Sequence, residues 1–94
     1  MQGGAFLPIL APQDEWIPLK QAVHYAQKSD KTLRGWCSQF GISRQSSRWA
    51  PIEVCLPALV MVMCGDMIGL ELLRAGERSH LRVRRVLDYL GFDP

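Results

Sequence analysis

Between Pro18 and Gly41 the chain carries two short runs of helical spacing, parted by a break with room for nothing longer than a turn. Pro18 suits the first turn of a helix, where its missing N–H costs nothing. Leu19, Ala22, Val23 and Ala26 then repeat as one apolar face. Gln27-Lys28-Ser29 reads as the break, and Ser29 or Asp30 can cap the second helix. Leu33, Trp36, Cys37 and Phe40 fall at i, i+3, i+4 and i+7, a second apolar stripe that Gly41 terminates. Two short helices, one tight turn and a shared apolar face make a helix-turn-helix.

After Gly41 the period changes from helix to strand. Ile42-Ser43-Arg44-Gln45 and Arg48 to Val54 flank Ser46-Ser47, a pattern that predicts a hairpin with a polar tip. Pro51 demotes the second strand to an edge or bulged position. Pro57 opens a helix to about Cys64, Gly65-Asp66 interrupts it, and Met67 to Leu73 is again helical. Ser79 can cap a last helix with the stripe Val83, Val86, Leu87 and Leu90, closed by Gly91. The expected fold is mostly α with a small β-hairpin: a winged helix-turn-helix over residues 16–94 with a C-terminal helical extension. Residues 1–15 read as an extended, proline-containing arm, since Gly3, Gly4, Pro8 and Pro12 exclude a helix.

Ninety-four residues suffice for one domain with a modest core, and not for a separate catalytic domain. The formal net charge is only +2, so a basic total carries no argument about partners. Its distribution does. Residues 20–48 hold six Lys or Arg against one Asp, whereas residues 49–77 are net acidic. Cys37, Cys55 and Cys64 have no paired spacing, and each lies among apolar neighbours, which predicts buried thiols rather than a disulfide framework or zinc site. No metal or cofactor is expected. His24 and His80 have no carboxylate or cysteine at useful spacing, so no catalytic role is assigned and an enzyme is not expected. The longest apolar run, Val54 to Cys64, is too short to span a bilayer, and the N-terminus lacks a basic segment. A cytoplasmic protein with no membrane contact is the expectation.

With Leu33, Trp36, Cys37 and Phe40 facing inward, Lys31, Thr32, Arg34, Gly35, Ser38 and Gln39 face outward. Arg34 offers a fork for guanine or phosphate, Thr32 a hydroxyl or methyl, and Lys31 a point charge. Together with Lys28 and Ser29 of the turn, these residues suit a major groove. Gly35 costs about 1 kcal/mol of helix propensity against Ala, which a close backbone approach to a ligand would explain. In the hairpin, Arg44 and Arg48 bracket Gln45, Ser46 and Ser47 and can reach a minor groove or its phosphates. Beside Arg48, Trp49 either stacks on a sugar or, the stronger expectation, packs under the hairpin. The alternative throughout is a solvated polar surface. In the last helix Arg84 and Asp88 can pair across i, i+4, while Arg82 and Arg85 share a face for phosphate or an acidic partner.

The run Ile17-Pro18-Leu19-Lys20-Gln21-Ala22-Val23, then Ser29-Asp30-Lys31-Thr32-Leu33-Arg34-Gly35-Trp36, resembles the excisionase and MerR-like winged-helix families. Their opening reads t-l-x-x-A-A and then S-x-x-T-L-R-x-W. Val23 replaces the second Ala, and Lys28 stands where the turn often carries an apolar residue. The resemblance covers residues 16–54. No long dimerisation helix follows, which favours the excisionase side. Pro57-Ala58-Leu59, Gly65-Asp66 and Gly76-Glu77-Arg78 look like small regulators of integrative and conjugative elements. The resemblance implies an architectural protein that binds double-stranded DNA cooperatively, self-associates there, bends it and redirects a site-specific recombinase (integrase). A plain transcriptional regulator, or a protein-only antiactivator, is the alternative. In the arm, Phe6, Leu7, Pro8, Ile9 and Leu10 are too apolar for a solvated tail, and pack on their own domain or on the next subunit.

Overall fold

A computed structural model describes residues 6–93. A short strand, β1 (Trp16–Pro18), leads directly into α1 (Leu19–Ala26), and α2 spans Asp30–Phe40. Two further strands follow, β2 (Ser43–Arg44) and β3 (Glu53–Cys55), then α3 (Leu56–Cys64), α4 (Met67–Arg74) and α5 (Leu81–Leu90). The chain is therefore mostly helical, with one small antiparallel sheet in the order β1-β3-β2. This architecture is compatible with a small helix-turn-helix domain.

The turn between α1 and α2 follows from two residues. Gln27 adopts a left-handed conformation that stops α1. The Ser29 hydroxyl accepts the Thr32 backbone N–H at 3.1 Å, satisfying one of the free donors of α2. At the far end Gly41 closes α2 with φ +65°, and a Cβ there would lie 2.6 Å from Cγ of Phe6. Glycine is required both by its backbone and by the arm resting on it.

The sheet differs from a simple hairpin. β3 is the central strand, pairing with β2 through Ser43–Val54 and Arg44–Glu53, and with β1 through Trp16–Cys55, Ile17–Val54 and Pro18–Glu53. Pro51 lies ahead of β3, so the expectation of an edge or bulged strand there is corrected. The proline that sits in the sheet is Pro18, on the edge strand β1. Residues 45–52 form a loop rather than continuous strand, with Ala50 N–H bonded to the Ser47 carbonyl.

The core joins Leu19, Ala22, Leu33, Ile42 and Val54 of the N-terminal part to Leu59, Met61, Leu70, Leu73, Val83 and Leu87 of the last three helices. Each large aliphatic side chain buried there contributes about 1.5–3 kcal/mol. The helices after β3 thus complete the same core.

Several local expectations are corrected. Gln13–Glu15 is a single 3-10 turn, not extended chain, and Glu15 is buried. His80, not Ser79, caps α5, with Nδ1 accepting the Arg82 N–H. Cys55 is buried and Cys37 half-buried, but Cys64 is exposed. Burial pushes the Cys55 thiol up to about 12 and raises that of Cys37. Arg84 forms no ion pair with Asp88, and Arg82 instead binds Asp66 at 2.7 Å. Gly3 and Gly4 of the arm lie outside the described residues. Among the described residues, no helix is long and apolar enough to cross a membrane.

The arm does pack on its own domain. Ile9 enters the core, and the Ala11 carbonyl accepts the Trp16 indole N–H at 3.1 Å. Arg74, whose side chain is only 4% exposed, donates to the carbonyls of Leu7, Phe40 and Gly41 and lies over the Phe6 ring. One guanidinium thereby fastens the arm and caps the C-terminus of α2. Ile9 is consequently withdrawn from any neighbouring subunit, and Phe6 is half-buried. Leu7, Pro8 and Leu10 remain exposed.

Candidate nucleic-acid interface

An open cleft separates the first turns of α1 and α2 from the 45–52 loop. Lys20 and Val23 of α1, Asp30 and Arg34 of α2, and Ala50 and Pro51 of the loop line it. The cleft exists because β1 runs straight into α1 while β3 holds the loop beside it. The Leu19 N–H donates to the Ile52 carbonyl at 3.0 Å, fixing the start of α1 against the end of the loop.

On α2, Lys31, Arg34, Gly35, Ser38 and Gln39 are all solvent-accessible. Lys31, Arg34, Gly35 and Ser38 share the i, i+3, i+4, i+7 spacing of one stripe. Nothing lies within 4 Å of a Cβ placed on Gly35, so no contact inside the chain requires a glycine there. The notch it leaves faces outward. Arg34 Nε binds Asp30 at 2.6 Å, but both side chains are more than half exposed, and such a surface pair is readily exchanged for another acceptor. Thr32 is half-buried and accepts the Ser29 hydroxyl proton at 3.0 Å, so its oxygen already serves the helix cap. Lys28 is exposed on the turn.

The loop residues divide in two. Arg44 is engaged within the chain: Nε binds Glu53 at 2.9 Å, Nη2 binds Gln13 at 2.5 Å, and the guanidinium stacks 4.3 Å from the centroid of Trp16. Gln45 is also spent within the chain, its amide donating to the Ala50 carbonyl at 2.6 Å and the Arg48 carbonyl at 3.4 Å. Ser46, Ser47 and Arg48 are exposed. Trp49 is 87% exposed, which overturns the expectation that it packs under the hairpin. The Arg48 guanidinium lies 5.3 Å from its ring centroid.

Lys20 and Arg34 thus line the cleft together with Asp30, while Lys28, Lys31 and Arg48 are exposed on the turn, on α2 and on the loop. Glu53, the nearby acid on β3, is engaged by Arg44. From the sequence, Lys20 had no role at this surface, and Trp49 had an outward one only as the weaker of two expectations. Lys20 reaches the cleft only because β3 brings the loop beside α1, a long-range placement with no local signal. For Trp49 the signal was present in its neighbours, since Gln45 to Arg48 before it are all polar. No protein-family model matches the chain, and neither a curated protein nor a solved structure matches it significantly.

Proposed function

We propose that this protein is a sequence-specific binder of double-stranded DNA rather than an enzyme, with α2 as its recognition helix and the 45–52 loop as a wing. The helices α3 to α5 are then the C-terminal extension of a winged helix-turn-helix. One observation carries the reading: the helix that bears an exposed basic stripe with a glycine notch and the loop that bears an exposed Arg–Trp pair bound the same open cleft. A helix of this width fits the major groove, and the loop then faces the adjacent minor groove across one phosphate strand. Lys20 and Arg34 on the cleft suit that strand. Arg44 and Gln45 leave the set of direct contacts in this reading and become residues that shape the wing.

The finer role rests on the sequence resemblance: an architectural excisionase that redirects an integrase, with transcriptional control as a second activity. Self-association on DNA then falls to the outward side chains Leu7 and Leu10, since Ile9 belongs to the chain's own core. Replacing both with Ser should leave single-site affinity intact and abolish cooperativity on tandem sites.

The test of the main reading is a salt titration of duplex binding. Affinity should fall linearly on logarithmic axes as phosphate contacts release counterions. Arg34→Ala should cost about 1–3 kcal/mol of specific binding if it reads a base. Absence of duplex binding even at low salt would favour the protein-only alternative.

A further inference from the structure

The 45–52 loop presents its largest apolar side chain to solvent. An indole left 87% exposed forgoes nearly all the burial that Trp side chains ordinarily gain. The loop is also held in shape. Gln45 bonds to the Ala50 and Arg48 carbonyls, Ala50 N–H bonds to Ser47, and Pro51 fixes the backbone just beyond. Trp49 is thus displayed on a braced turn, and ordering it against a ligand costs little further loop entropy. The Arg48 cation covers one face of the ring, leaving the other face free.

We propose that Trp49 enters the minor groove of a bound duplex and stacks its free face on a base at a partly opened step, so that the loop bends the DNA. This rests on the DNA-binding reading above. A cation beside an apolar wedge matches that destination. Arg48 meets the negative potential of the groove while the indole replaces the stacking lost when the step opens. Arg34 and Lys20 across the cleft hold the intervening phosphates, which sets the register of insertion.

The experiment uses the full chain and a duplex enriched from a random-sequence pool by binding to it. Affinity is measured against salt, and the bend by energy transfer between dyes at the duplex ends. Trp49→Ala should weaken binding between about fivefold and about a hundredfold, the range for losing one aromatic stacking contact. Its salt slope should stay unchanged, because an indole releases no counterion, and the bend should diminish. Trp49→Phe should restore part of both. Arg48→Ala should instead lower the salt slope by about 1. Because Trp49 supports no core contact, the variant's helical circular dichroism should match the parent's. If Trp49→Ala binds and bends like the parent, the insertion is wrong, the DNA reading stands, and the residue belongs to a protein contact. Loss of affinity with an unchanged bend also overturns insertion, leaving contact with a sugar. If the parent enriches no duplex at all, the DNA reading itself has failed.

Discussion

Arginines in two regions of this molecule share one chemistry and live in opposite circumstances. Arg74 and Arg78, near the junction of α4 and α5, are spent inside the structure. Arg74 satisfies three backbone carbonyls, and Arg78 forms a two-pronged bond with Glu15 at 2.5 and 3.2 Å. Arg34 and Arg48, on α2 and the loop, face solvent. Net charge cannot tell these sets apart. What separates them is the position of their partners: Leu7, Glu15, Phe40 and Gly41 are all remote in sequence from the arginines they hold.

The contrast is broken most severely at Arg78. The Glu15 side chain is 2% exposed, so Arg78→Ala strands a buried carboxylate and should cost about 3–5 kcal/mol in urea unfolding. The double variant Glu15→Gln, Arg78→Met should recover much of that loss. Next, Arg74→Met leaves three partly buried carbonyls without that donor and should cost about 1–3 kcal/mol. It should also expose the arm to protease before the rest of the chain unfolds, which limited digestion would detect.

Thiols sharpen the same contrast between inside and outside. The Cys55 thiol is raised from 9.0 to about 12 by burial, and the Cys37 thiol and the Tyr25 phenol shift the same way. A group held protonated by the fold contributes stability that is complete below its unfolded pKa. That contribution is lost as pH rises from there towards the folded value. Between about pH 9 and 12, then, Cys55 alone should lower unfolding free energy by up to about 1.4 kcal/mol per pH unit. Exposed Cys64 should be alkylated in the folded protein, whereas Cys55 should react only on unfolding. Mass mapping at neutral pH distinguishes them. The smallest effect belongs to the outer arginines. Arg34→Ala and Arg48→Ala should each move stability by no more than about 0.5 kcal/mol.

Features set by neighbours in sequence were legible. The Leu33 stripe, the Ser29 cap and the Gly41 stop lie within one helix length, and each predicts its own element. The sheet was not legible in the same way, because β1 meets β3 across the whole helix-turn-helix. Pro51 suggested a marginal strand, yet the strand begins two residues later and is the central one. Arg44 read as a wing-tip cation, but its partners Gln13 and Glu53 come from elsewhere in the chain. In the arm, an apolar run without periodicity could not reveal that Ile9 turns in while Leu7 and Leu10 turn out. Of the candidate interface, the α2 stripe was therefore readable, and the loop's division into bracing and presenting residues was not.

The clasp of β1 on β3 also sets an order in time. Pairing Trp16 with Cys55, and Leu19 N–H with Ile52, closes a loop that contains both helices of the turn motif. Contacts between α1 and α2 are local and form early, whereas the strand pairing must first meet the entropy of joining distant segments. On a growing chain, the two helices emerge before β3 exists, and neither the clasp nor the cleft can form until residue 55 has been made. A nascent chain halted before β3 would carry the exposed α2 stripe without the strand that holds the loop beside α1.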